Sequence, residues 1–456
     1  MTGFAARIRP TIGLHDPLMA RALLLDDGRT KIAIVVCDLI GLTPAAVAGI
    51  RHRIARKSSI PAVNILISCT HTHSGPTSMP FRGVMGNVDT AWLMEAERRI
   101  VDLVAGLPAA LQPAQLAVTS THVEHIGYNR QDSSHTIDEE LGILTVEQAV
   151  VSDQAVGNDQ TPKNSRATEN SQADEPNGAS GAPIATLLNY GTHPVVLGPN
   201  NLHFSADYPG EVAHCLEQLR DGVGMFLQGT SGDVDPIVYL DRGWGSGTFE
   251  DTRQIGERLC SAALKALQGA PRTSDVTLQV SGKMLEIPLD PPPALETLAG
   301  LKAGFEADRN KATRTGDEMQ EKIALAMLEW VGELEQAMAD GTLQKTLPSE
   351  LYLAGINDLR IIGVPFETYT DIGLAIKRLL QPHRVFFAGY ANGLYGYCPT
   401  TWAKDQGGYG PDSSYRWFPR LLTAVGYGAD DLIVNEAFLL ASSIHASAGM
   451  PLPPCR

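Results

Sequence analysis

Lys31–Ser68 reads KIAIVVCDLIGLTPAAVAGIRHRIARKSSIPAVNILIS. Its opening, Lys31–Asp38, is a β-branched apolar run, the pattern of a buried strand. Thr43 then precedes Pro44 and an Ala-rich stretch to about Arg56. An N-capping Thr followed by Pro at the first helical position marks a helix start. Val63–Ser68 reads as a second apolar strand. Asp89–Leu107 has helical periodicity, with Trp92, Ala96, Ile100 and Leu103 on one face. Strand, helix, strand, helix in this order predicts a layered α/β domain.

The same alternation runs outward from this stretch. Leu116–His122, Leu141–Val146, Pro183–Tyr190 and Gly224–Gln228 read as strands, Asp251–Leu267 as a helix, and Asp275–Ile287 as an alternating strand. Residues 294–340, rich in Ala, Leu, Glu, Lys and Met, read as a pair of helices serving as scaffold or oligomer surface. The last third returns to strands near Leu351–Ile356, Leu359–Val364 and Arg384–Ala388, with helices near Tyr369–Leu380 and Asp430–Ala446. Residues 151–181 hold no aromatic residue, no Leu and no Ile, and are dense in Asp, Asn, Gln, Ser and Gly. Such a stretch cannot bury enough surface to fold alone, and is expected to be a disordered polar insertion at a hairpin tip. The expectation is an α/β fold of layered mixed sheets flanked by helices. It forms one large domain over 1–456 with a helical insertion at 294–340.

Composition excludes several functions. Lys plus Arg number 36 and Asp plus Glu 51, a net charge of −15. That surface repels phosphate backbones and anionic lipid, so no nucleic-acid partner is expected. No apolar run approaches the roughly 20 residues of a membrane span, so no transmembrane segment is expected. The N-terminal text MTGFAARIRPTIG lacks the apolar core of a secretory signal. Cys37, Cys69, Cys215, Cys260, Cys398 and Cys455 are scattered, with no CxxC pair. They read as reduced core thiols in a cytoplasmic protein.

Five stretches carry chemistry. SCTHTHSGP, Ser68–Pro76, follows a strand. Residues two apart on a strand share a face, so His71 and His73 can point together where it ends. Two imidazoles there suit a transition metal, or a ligand with an acid/base partner; two ordinary loop histidines would read the same way. NYGTHPVVLGPN, Asn189–Asn200, puts His193 just past another strand. QGTSGDVDP, Gln228–Pro236, is a Gly-rich turn carrying Asp233 and Asp235, without the GK[ST] ending of a phosphate loop; Asp233 reads equally well as a turn cap. In IIGVPFE, Ile361–Glu367, a strand breaks at Pro365 and Glu367 opens a helix, placed as a hard ligand, a general base or a first-turn acid favoured by the helix dipole. YANGLYGYCPTTWAKDQGGYG, Tyr390–Gly410, is a Gly- and Tyr-rich loop of the kind that lines sites. Asp38, ending the first strand, reads as support for a ligand histidine or as a strand-end cap.

THTHSGP, NYGTHP, SADYPG, the GDxxP turn, the VPxE strand end and the ANG…GYxPT…GGY loop, in this order, resemble the neutral/alkaline ceramidases and their shorter bacterial relatives. The segment His15–Gly28 resembles them too, so the likeness spans nearly the whole chain. The resemblance implies an amidohydrolase with one zinc ion per chain, held by two His, one Glu and one Tyr. By motif these fall on His71, His193, Glu367 and Tyr397. A second family tyrosine, twelve residues on, falls on Tyr409. His73 and Arg130, in GYNRQ, belong to the same pocket. Zinc-activated water would attack an amide carbonyl, with His73, Arg130 and Tyr409 stabilising the oxyanion and passing protons.

Two departures shape the expected substrate. The family's GDVSP-type turn has serine where this chain has Asp235, so a substrate-contacting hydroxyl becomes an acceptor-only carboxylate. The C-terminal β-sandwich module of the longer enzymes is not expected in this sequence, and no long apolar acyl groove is legible. The expected partner is a small-molecule amide or ester other than ceramide. The open alternatives are an esterase or lactonase using the same zinc site, and a non-catalytic metal- or ligand-binding relative.

Overall fold

A computed structural model describes residues 1–83, 85–149 and 181–446. Three sheets carry the architecture. In the first, Ala20–Asp26 runs antiparallel to Lys31–Cys37, which is parallel to Ile65–Cys69. Parallel neighbours require a crossover, and the helix Pro44–Lys57 supplies it. Its start is as expected: Thr43 Oγ1 accepts from the Ala46 amide at 3.2 Å, with Pro44 in the first turn. Val47, Ile50 and Ile54 bury the face turned toward the sheet.

The second sheet has the order Val223–Gln228, Pro183–Tyr190, Glu140–Gln148, Ala114–His122. Its first pair is parallel and the other two are antiparallel. The helices Asp207–Arg220 and Phe249–Leu267 cover it through Val212, Leu216, Leu259 and Ala263. The third sheet has the order Leu278–Pro288, Thr346–Ile356, Leu359–Gly363, Arg384–Ala388. The helix Thr370–Leu379 makes the crossover to its last, parallel strand, and Ala429–Ala446 packs beside that helix.

The inner faces of all three sheets meet in one core. Ile34 and Leu66 come from the first, Leu144 and Leu227 from the second, and Ile361 and Phe386 from the third. At Gly142 the approach is so close that a Cβ would lie 2.3 Å from the Phe386 ring, so only glycine allows it.

Residues 294–340 contain the antiparallel helices Leu295–Thr315 and Glu318–Ala339. They share a small core of Leu298, Trp330, Val331 and Leu334. The polar stretch 151–181 lies outside the described residues, save Gly181. Among the described residues no helix is long and apolar enough to cross a membrane.

The expectation of uniformly reduced cysteines is corrected at one pair. Cys215 and Cys260 form a disulfide, with Cα atoms 6.3 Å apart, because Asp207–Arg220 packs directly on Phe249–Leu267. Their separation of 45 residues gives no local sign of this. Cys37, Cys69 and Cys398 are buried free thiols, and Cys455 lies outside the described residues.

Candidate metal centre and its cavity

Each sheet ends in one residue of a buried cluster. His71 follows Ile65–Cys69, His193 follows Pro183–Tyr190, and Glu367 follows Leu359–Gly363. Their side chains are 1–3% exposed. His71 is not placed by strand alternation. The strand ends at Cys69, and His71 turns with a φ of 69°, so the turn brings it beside His73.

Hydrogen bonding fixes the two rings. His71 Nδ1 meets the Ile40 carbonyl at 2.5 Å, and His193 Nδ1 meets the Ser231 carbonyl at 2.8 Å. A carbonyl only accepts, so each Nδ1 carries the proton and, in a neutral ring, each Nε2 presents a lone pair. Burial, with Arg130 nearby, holds the His193 pKa well below the ordinary range. Both Nε2 atoms lie 3.4 Å from Glu367 Oε2. His193 Nε2 and Glu367 Oε2 are buried without a hydrogen-bond partner. Three acceptors therefore face one another, which is unfavourable unless a cation joins them.

Spacing agrees with that reading. Ligand atoms about 2.1 Å from a tetrahedral ion stand about 3.4 Å apart. Tyr397 is the direct register partner of Glu367 in a two-stranded parallel ladder. With His71, His73, Glu367 and Tyr409 it lines a cavity of about 20 Å³, room for one small particle. The donor set of nitrogens, a carboxylate and a phenol fits zinc or a similar ion.

His73 Nε2 lies 3.0 Å from His71 Nε2. His71, His73 and His193 thus form a three-imidazole group with ligand atoms within 4.8 Å of one another. Burial first, then His71 and Arg7, keep the His73 pKa well below its usual value. Expected as a proton-transfer helper, His73 is equally well placed as a nitrogen ligand.

Arg130 spans the wall beside the cluster. One Nη donates to the Gly232 carbonyl at 2.5 Å and to Tyr397 Oη at 2.9 Å; the other donates to Asp235 Oδ1 at 3.3 Å. Asp235 sits in the short ladder Val234–Pro236, paired with Gly127–Asn129, which places it across from Tyr128. Burial raises its pKa and Arg130 opposes the rise. Asp233 is a structural cap: its carboxylate accepts from the Thr370 amide at 2.8 Å and from Asn129 Nδ2 at 2.7 Å. Asp38 accepts from the Met19 amide and Arg21, so the Ile40 carbonyl, rather than Asp38, orients His71.

A larger cavity of about 750 Å³ opens over His73, Arg130, His193, Asp235, Tyr397 and Tyr409. All eight site residues expected from the sequence therefore meet at one place. Others in its walls gave no sequence signal. Phe4 packs edge-on against His73 with ring centres 5.0 Å apart. Arg7 ties the N-terminal segment to the site, donating to the carbonyls of Thr2, His73 and Gly198. Trp244, Met319, Ile323 and Trp417 also line the space. Met319 and Ile323 add a place in the cavity lining to 294–340, which is expected from the sequence to be scaffold or oligomer surface.

Comparison with known proteins bears on the family and the fold. Residues 1–286 match the family model described as neutral/alkaline non-lysosomal ceramidase, N-terminal. A neutral ceramidase of Pseudomonas aeruginosa is 23% identical over 460 residues, covering 88% of this chain; the chain spans 64% of that relative's length. The crystal structure of neutral ceramidase from Pseudomonas aeruginosa superposes with a TM-score of 0.67 at 17% identity, covering 100% of this chain and 73% of that one. A ceramidase complexed with C2 gives a TM-score of 0.65 at 17% identity, with 100% and 74% covered. The chain belongs to the neutral/alkaline non-lysosomal ceramidase family.

Proposed function

We propose that this chain is a zinc-dependent amidohydrolase that cleaves an N-acyl bond of a small-molecule substrate other than ceramide. The observation that carries the reading is the meeting of His71 Nε2, His193 Nε2 and Glu367 Oε2: the carboxylate oxygen lies 3.4 Å from each imidazole nitrogen, and neither it nor His193 Nε2 has a hydrogen-bond partner. His71, His193, Glu367 and Tyr397 would hold the ion. When bound, the ion supplies Lewis-acid polarisation of the scissile carbonyl and lowers the pKa of water toward about 7.

The chain's own groups do the rest. Arg130 is held by Gly232 and Tyr397, so its positive charge is preorganised where a carbonyl oxygen gains negative charge. His73, kept neutral by burial, can take a proton and return it to the leaving amine. The Tyr409 hydroxyl, on the same cavity wall, is a further donor. Asp235 accepts from Arg130 and, as a carboxylate, offers no proton to a substrate hydroxyl. This argues against ceramide and for a different amine half. The Cys215–Cys260 pair counts against the cytoplasmic location expected from the sequence.

The test is metal analysis of purified protein, followed by assays on matched amide and ester substrates before and after chelation and with zinc restored. Amide turnover that disappears with the metal and returns with zinc is expected. A metal-free protein with undiminished amide hydrolysis would sink the proposal.

A further inference from the structure

We propose that Tyr390 is a positioning residue that fixes both imidazoles of the candidate metal centre at once: its ring sets the plane of His71, and its hydroxyl holds Ser231, whose carbonyl orients His193. The inference rests on the metal-dependent reading above and adds to it a residue that lines neither cavity.

The bond from His71 Nδ1 to the Ile40 carbonyl fixes one edge of that ring. A flat surface against its face fixes the plane, and Tyr390 supplies one. The two rings stack with centres 4.1 Å apart and planes 22° from parallel. On the other side of the centre, Tyr390 Oη and Ser231 Oγ share a hydrogen bond at 2.8 Å. The Ser231 carbonyl in turn accepts from His193 Nδ1 at 2.8 Å. Both imidazoles therefore lean on one side chain, which is 1% exposed and out of a substrate's reach.

The backbone that carries this ring is pinned. The φ of Tyr390 is 53°, in the left-handed region, which a bulky residue adopts only where its surroundings impose it. Here the surroundings are the ends of all three sheets. The Tyr390 amide donates to the Phe366 carbonyl, beside Glu367, at 3.1 Å, and the Asn392 amide donates to the Ile67 carbonyl at 2.7 Å. The Gly389 amide donates to the Gln228 carbonyl at 3.0 Å, and the Gly389 carbonyl accepts from Ser68 Oγ at 3.0 Å. Imidazoles braced from so fixed a point lose little freedom when an ion binds them.

The test is zinc affinity, measured by competition with a chelator, together with the visible absorption of the cobalt-substituted protein. That absorption reports ligand placement, and a residue serving stability alone would not move it. Tyr390→Phe and Ser231→Ala each remove one oxygen of the same bond. Each should weaken zinc binding about tenfold and shift the cobalt band, and the double variant should be no weaker than either single one. Tyr390→Leu loses the ring as well and should weaken zinc binding about 100-fold. Tyr395→Phe, which removes a hydroxyl bonded to the Pro348 carbonyl at 3.0 Å, should match the parent. Thermal melts confirm that each variant is folded; if Tyr390→Leu is not, Tyr390→Phe and Ser231→Ala decide alone. Parent values in Tyr390→Phe, or no further loss in a folded Tyr390→Leu, overturn the inference. A parent that takes up neither zinc nor cobalt would instead refute the metal-dependent reading. The brace is then decided by nitrogen NMR spectra of the histidine rings in the metal-free protein. Changed His193 signals in Tyr390→Phe and changed His71 signals in Tyr390→Leu support it, and spectra like the parent's overturn it.

Discussion

Glu367→Gln keeps the side chain's shape and removes its charge, and its effect on stability should change sign with metal. In the metal-free protein Glu367 Oε2 faces two imidazole lone pairs at 3.4 Å, with no donor. An unsatisfied buried polar group costs about 1–3 kcal/mol. The new amide can donate to His71 or His193, so the metal-free variant should be more stable than the parent by about that amount. Zinc at about a thousand times its Kd stabilises the parent by about 4 kcal/mol. The variant loses the charged ligand and most of that gain, so in excess zinc it should be less stable by roughly 1–3 kcal/mol. Urea unfolding of both proteins, with chelator and with excess zinc, reads all four values. A variant less stable than the parent in chelator, or one that gains as much from zinc, would refute the account of three converging acceptors.

Arg130→Lys removes the planar fork that reaches Gly232, Tyr397 and Asp235; kcat should fall about 100-fold with metal content unchanged, and an unchanged kcat would remove Arg130 from the mechanism. Asp235→Ser should gain hydrolysis of N-acylsphingosine, followed by chromatography of released sphingosine; no gain would show that this position does not select the amine half. Gly3→Ala puts a Cβ 2.5 Å from His73 Cγ, at a φ of +97°. It should lower kcat by about 100-fold through displacement of His73, with metal retained; unchanged kcat would contradict that packing. Thr43→Ala removes the cap on Pro44–Lys57 and should cost about 1 kcal/mol in urea unfolding with kinetics untouched.

Much of the fold was legible because local chemistry and tertiary packing agree. Thr43 and Pro44 start their helix as their capping chemistry requires, and the apolar runs at Lys31, Pro183 and Leu359 open strands. The strand Ala20–Asp26 was missed, since its ARALLLD text carries no clean alternation. The helix Asp207–Arg220 is absent from the sequence reading; its Pro209 is tolerated because it lies in the first turn. The site residues were legible as strand ends, but their convergence was not. The positive φ of His71 and the Glu367–Tyr397 register are products of long-range packing. The place of Met319 and Ile323 in the cavity lining was hidden for a similar reason: a half-buried helix face does not say what it faces.

One proposed ligand from each sheet would have a consequence for biosynthesis. His71 emerges from the ribosome long before His193, and Glu367 and Tyr397 emerge only in the last third of the chain. An early chain segment can offer imidazoles to passing metal but lacks the carboxylate that completes the set. If these residues hold the proposed ion, its selective uptake would wait for the third sheet to dock on the other two, and a bound ion would certify that all three have assembled.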